Sequence, residues 1–142
     1  MTDDRPRLTQ LAEHRWPTVD WPIARLTVRL PEIAARNGLV LETWEEDGLG
    51  STTGRAVRLP SGVVILLLER AHSISHFDVK GPDLYADATD AQRLSIEPLL
   101  AEALVALGLE QSHVEWRNRP PTEAEVAAFK ESAAKFRMTR DG

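Results

Sequence analysis

The chain of 142 residues contains no cysteine. This absence excludes disulfide bonds, thiolate metal ligands and a cysteine nucleophile, and it leaves the redox compartment undetermined. Long hydrophobic runs are absent too, because the longest uninterrupted apolar run is the six residues Val63–Leu68. A helix needs roughly 20 apolar residues to cross a bilayer. The sequence therefore predicts no membrane-spanning segment and no membrane partner.

Several targeting and catalytic signatures are missing as well. Asp3 and Asp4 stand where a signal peptide carries basic residues, and no apolar segment follows, so we expect a cytoplasmic protein. The glycine-rich stretch Gly48–Gly54 lacks the lysine of a phosphate-binding loop, and four acidic residues precede it, which favours a flexible hairpin loop. No serine lies in a Gly-x-Ser-x-Gly motif. We therefore predict no catalytic residues and no organic cofactor from local motifs.

The net charge of −5 is distributed unevenly along the chain. Residues 38–116 carry five basic residues against thirteen acidic ones, whereas the segments on either side are weakly basic. Such an acidic surface repels phosphate backbones, so binding of nucleic acid through this region is disfavoured. Either it is an ordinary solvated surface, or it meets a basic partner.

The apolar run Val63–Leu68 predicts the central strand of the fold. Side chains of a strand point alternately to its two faces, so a run that is apolar at both parities is buried on both sides. Neighbouring segments are short and separated by turns, with no room for helices between them. We therefore predict an α+β fold with a mostly antiparallel sheet of about four to five strands in residues 39–86, plus an edge strand near residues 113–117.

Three helices are predicted to pack with this sheet, over residues 20–37, 95–107 and 122–137. The first has an apolar stripe interrupted by Pro31, so either the helix kinks there or a strand precedes a helix that begins at Pro31. The second begins either at Ser95 or, with a bend, near Asp90. The third opens with the capping-box sequence Thr122–Glu125.

The length predicts one domain over residues 1–142. Within it, we expect residues 1–19 to form an N-terminal arm or short helix, and residues 120–142 a C-terminal amphipathic helix with a short tail. If Phe129 and Phe136 are not covered by the sheet, this helix offers a surface for a homodimer. Basic residues on the same helix suggest, as the weakest alternative, an interaction with nucleic acid.

One group of residues suggests a metal or acid–base site. On a strand, His72, His76 and Asp78 would point to the same side, and two imidazoles with one carboxylate suffice to bind a divalent transition metal. The same three groups could instead exchange protons with a substrate. Histidines at this spacing also occur as ordinary polar residues of a strand end or loop. The alternative function is therefore a metal- or acid–base-dependent enzyme.

The main prediction is a small, non-catalytic protein that binds another protein through an acidic surface on the sheet side or through an exposed helix. Inhibitors, immunity proteins, antitoxins and adaptors have this size and lack of catalytic motifs. Its partner-binding residues are expected where the first predicted strand ends and an acidic loop begins, at Trp44, Glu45, Glu46 and Asp47. Tryptophan is enriched at the centres of protein interfaces, and the three carboxylates would attract a basic partner.

Overall fold

The computed structural model describes residues 9–11, 19–46, 50–70 and 82–131. Its strands are β1 Thr9–Leu11, β2 Val19–Leu26, β3 Glu42–Glu46, β4 Gly50–Arg58, β5 Val64–Arg70, β6 Asp83–Asp87 and β7 Val114–Arg117. Its helices are α1 Leu30–Asn37, α2 Ala88–Leu94, α3 Ile96–Leu107 and a C-terminal helix, α4, over residues 123–131. A short 3₁₀ turn, Gln111–His113, precedes β7.

The described strands form one sheet in the order β1-β4-β5-β6-β2-β7. Every pair of neighbours is antiparallel. The strand β3 lies off this path and pairs with the first half of β4, so β1 and β3 share one side of that strand. The predicted α+β class is confirmed. Four of the seven described strands, β3 to β6, correspond to the four to five predicted in residues 39–86, β7 is the predicted edge strand, and β1 and β2 are additional.

The predicted central strand is β5, which has β4 on one side and β6 on the other. Its side chains alternate between two apolar clusters, as a strand buried on both faces requires. Ile65 and Leu67 belong to the larger cluster, to which all four helices contribute. Leu66 and Leu68 belong to a smaller cluster with Leu11, Ala56 and Val64. The helices therefore cover one face of the sheet.

Glycines close one hairpin of the sheet and end two of the helices. In the β4–β5 hairpin, the N–H of Leu59 donates to the carbonyl of Val63 at 2.8 Å. Gly62 in this turn has a φ of 98°, a conformation that favours glycine. Gly38 ends α1 and Gly108 ends α3, both in the left-handed conformation.

The single kinked helix predicted over residues 20–37 is wrong in its first half, and the alternative, a strand before a helix that begins near Pro31, is confirmed. Residues Val19–Leu26 form β2, between β6 and β7, and only Leu30–Asn37 are helical, with Pro31 in the first turn. Register shifts on either side of Pro22 let a residue without an N–H sit inside a strand. With a further shift between Arg25 and Leu26 in the β2–β7 pair, Ile23 and Leu26 both lie in the larger apolar cluster. A bulged strand has therefore reproduced the i, i+3 spacing of a helix.

Two further predictions near the sheet edge are corrected. The short helix expected within residues 1–19 is a strand where the structure describes it, because Thr9–Leu11 pair with β4 and Leu11 is buried against the smaller cluster. The glycine-rich loop is mostly the first half of β4, since Gly50–Gly54 pair with β3. Its backbone groups are therefore engaged in the sheet, and the threonines between the glycines are good strand formers.

The remaining elements agree with prediction or extend it. β7 is the predicted edge strand, and Ile96–Leu107 form the predicted second helix, with a separate helix α2 before it. The third helix is confirmed over residues 123–131, and its predicted remainder lies outside the described residues. No described helix is long and apolar enough to cross a membrane.

Candidate functional site

Three of the four predicted partner-binding residues lie on the strand β3, which extends through Glu45 and Glu46, where a loop was predicted. Within the described part of the chain, β3 pairs only with β4, from Glu42 opposite Gly54 to Glu46 opposite Gly50. The hydroxyls of Thr43 and Thr53 meet across the pair at 2.9 Å, and Thr43 is exposed. Trp44, Glu45 and Glu46 are the last three residues of the strand. Asp47, which follows them, lies outside the described residues.

A buried arginine secures the junction between β1 and β3. Arg55 is only 7% exposed, and it lies on β4 between the segment paired with β3 and the segment paired with β1. Its Nε donates to the carbonyl of Val40 at 2.6 Å, and its Nη1 donates to the carbonyl of Leu11 at 2.9 Å. Its Nη2 lies 3.3 Å from the carboxylate of Glu42. One guanidinium therefore joins both outer strands to β4.

The side chain of Gln10 reinforces the same junction. Its Oε1 accepts a hydrogen bond from the N–H of Val40 at 2.6 Å, and its Nε2 donates to the carbonyl of Gly38 at 3.3 Å. The segment that leads into β3 is thus held by β1 as well as by β4. Val40 itself is 65% exposed. The start of β3 is therefore held in place, and its first residue, Glu42, pairs with Arg55.

An ion pair between a buried carboxylate and an exposed guanidinium fixes the first helix to the central strand. Glu69, on β5, is 8% exposed and accepts from Arg29 Nε at 3.1 Å and Nη2 at 2.7 Å. The N–H of Leu30, in the first turn of α1, donates to the same carboxylate at 2.9 Å. The hydrogen bonds between the two side chains raise the pKa of Arg29. Glu69 therefore caps α1 from a distant strand, which makes it a structural carboxylate.

The described part of the C-terminal helix packs on the chain's own sheet. Phe129 meets the indole of Trp21 edge to face, with ring centroids 5.5 Å apart, and Val126 is buried. Arg119 lies over the same indole at 5.6 Å and forms two hydrogen bonds, of 2.6 and 3.0 Å, with Glu125. The apolar face proposed for a homodimer is thus covered as far as Phe129. Phe136 lies outside the described residues.

The predicted metal or acid–base group, His72, His76 and Asp78, lies outside the described residues and stays a prediction. Among the residues that the structure does describe, no three histidine or acidic side chains are grouped to hold a metal ion. His113 has a structural role, because its Nδ1 accepts from the N–H of Glu110 at 3.0 Å. Asp87 caps α2 by accepting from the N–H of Thr89.

Sequence reasoning missed Arg55 and Glu69, the two most buried charged residues in the described part of the chain. The sequence marks both positions, because each charged side chain points to the same side of its strand as a nearby apolar one. Arg55 lies two residues before Val57, and Glu69 lies two residues after Leu67. A buried charge requires a partner. Glu69 finds its partner 40 residues away, at Arg29, and Arg55 finds one of its partners 15 residues away, at Val40. No local pattern identifies partners at such separations.

Comparisons of this chain with protein-family models, with curated proteins and with solved structures find no match.

Proposed function

We propose that the chain is a protein-binding module whose partner meets the acidic edge strand β3. The observation that carries this proposal is the pairing of β3 on one side only, in the part of the chain that the structure describes. An edge strand presents unpaired backbone N–H and carbonyl groups, which can pair with an extended segment of another protein. Three of the five residues of β3 are glutamates. The partner is therefore an extended, basic segment.

The fixed position of β3 supports this proposal. Arg55 and Gln10 hold the connection into the strand, so little conformational freedom is lost when a partner binds. Attraction between a basic segment and the glutamates would accelerate association and favour basic over acidic partners. Acidic side chains also prevent indiscriminate pairing of an edge strand. Both effects select a partner of complementary charge.

The test is affinity capture from lysate of the source organism with three forms of the tagged protein. One is wild type, and the second carries Glu45→Lys and Glu46→Lys on β3. The third carries Glu123→Lys and Glu131→Lys, two exposed residues of α4, the helix that packs on β2. Both variants change the net charge equally. We expect wild type and the α4 variant to retain the same stoichiometric protein and the β3 variant to lose it. Equal capture by all three forms, or by none, would contradict the proposal.

A further inference from the structure

We propose that the opposite edge strand, β7, joins two copies of this chain by antiparallel β7–β7 pairing. β7 ends the strand order and pairs only with β2 in the described residues. Three consecutive side chains on it are exposed, those of Glu115, Trp116 and Arg117. Trp116 is 44% exposed, on a chain whose other fully described tryptophan, Trp21, is buried. A large exposed aromatic side chain on an unpaired strand edge is typical of an interface.

The residues next to Trp116 form contacts within the chain, and its backbone pairs with β2. Opposite it on β2 lies Arg25, whose Nε is 2.7 Å from the carboxylate of Asp83, and that hydrogen bond raises the pKa of Arg25. Beside it, Arg117 donates to Gln111 at 2.8 Å, and its Nη1 lies 3.6 Å from the carboxylate of Glu97, an exposed ion pair that a second copy would have to compete with. The register shift in the β2–β7 pair falls before Trp116, so Trp116 and Arg117 pair regularly with β2. Pairing with β2 therefore fixes the register of Trp116 and Arg117, whereas Glu115 lies at the register shift.

The sequence Glu115-Trp116-Arg117 is complementary to itself. A two-fold axis perpendicular to a sheet makes identical edge strands antiparallel. With the axis at Trp116, the two indoles lie opposite each other, and Glu115 of each copy lies opposite Arg117 of the other. Aromatic pairs and opposite charges are the favourable cross-strand combinations. This register provides one aromatic pair and two ion pairs from three residues.

The same three residues make a second copy a better occupant than a strongly charged partner. One acid and one base flank the tryptophan, so the strand has no net charge with which to select an acidic or a basic segment. The described strand is also short, with four residues, which limits the area that pairing can bury. Interfaces of this size are weak. The association is therefore a reversible dimer that depends on protein concentration.

Sedimentation velocity of the full chain, from about 5 to about 500 µM, tests the proposal. We expect a monomer–dimer equilibrium within that range. Trp116→Ala should weaken it about tenfold or more, as loss of a central aromatic residue does. Glu115→Arg and Arg117→Glu should each weaken it, by about fivefold or more, because like charges then face each other. The double variant should restore association to about the wild-type strength, since both ion pairs re-form with their signs exchanged.

Two control variants distinguish a β7–β7 dimer from association through another surface. Ala128→Arg, at an exposed position of α4, tests a dimer through the C-terminal helix and should leave association unchanged. Glu45→Lys with Glu46→Lys should also leave it unchanged, so that failure here and failure of the β3 proposal are distinguishable. Far-ultraviolet circular dichroism verifies that each variant is folded. A monomer at every concentration, a dimer broken by Ala128→Arg, or a double variant no stronger than the single ones would overturn the proposal.

Discussion

The most buried charged residues of the described chain connect segments that are distant in sequence. Glu69 joins β5 to the first turn of α1, and Arg55 joins β4 to both outer strands. A buried carboxylate that accepts three hydrogen bonds contributes more than an exposed ion pair, because removing its charge leaves its donors without a full partner. The contribution of Glu69 to stability can be compared directly with that of an exposed ion pair, Glu32 with Arg36.

Glu69→Gln should lower the free energy of unfolding by about 1–3 kcal/mol, the range for an unsatisfied buried polar group. Glu32→Gln is the matched control, since Glu32 and Arg36 form an exposed ion pair one turn apart on α1. Its cost should stay below about 0.5 kcal/mol. Urea denaturation measured at neutral pH gives both values. Equal costs would show that Glu69 has no special role at the start of α1.

Glu125 provides the clearest expected dependence of folding stability on pH. Its hydrogen bonds with Arg119, and then with the backbone of Thr122, lower its pKa from 4.5 to about 2. A depressed pKa means that the carboxylate stabilises the folded state fully above pH 4.5 and loses this effect as the pH falls towards 2. Titration of the Glu125 carboxyl carbon by nuclear magnetic resonance measures the pKa. In Arg119→Ala, the pKa should return towards its ordinary value; an unchanged pKa would exclude Arg119 as the main cause.

Among the elements, the outer strands β1 and β3 depend on one guanidinium. In Arg55→Lys, a single ammonium replaces a planar group that bonds two carbonyls and approaches one carboxylate, so most of those contacts are lost. We expect amide hydrogen exchange in β1 and β3 to accelerate by about tenfold or more, whereas β6 and β2 keep their wild-type rates. Uniform acceleration across the sheet, or none, would contradict a local role of Arg55.

The elements also show how far the sequence determines the fold. Local signals located several elements. A run that is apolar on both sides of a strand located β5, a glycine after a helix marks the ends of α1 and α3, and a capping box located the start of α4. β2 was mistaken for a helix because its register shifts imitate helical spacing. The residues of β3 were singled out by their charge. Their position at an edge depends on which strands pair, and pairing is set by contacts between distant segments.

At the scale of the whole molecule, the two proposed surfaces lie at opposite edges of one sheet. β3 flanks β4 at one side, and β7 flanks β2 at the other, with β5 and β6 between them. A dimer through β7 therefore leaves both copies of β3 free to bind a partner. Two such sites on one dimer would strengthen binding to a partner that is itself multivalent. The helices, all on one face, take no part in either proposed contact.

The most direct test of the central claim is site-specific photo-crosslinking in cells of the source organism. A photoreactive amino acid replaces Thr43, an exposed residue of β3, or, as the control, Ala127, an exposed residue of α4. If a partner pairs with β3, illumination should link the Thr43 position, and not the Ala127 position, to one protein that mass spectrometry identifies. An adduct of the same protein at both positions, or at neither, would contradict the assignment of β3 as the binding surface.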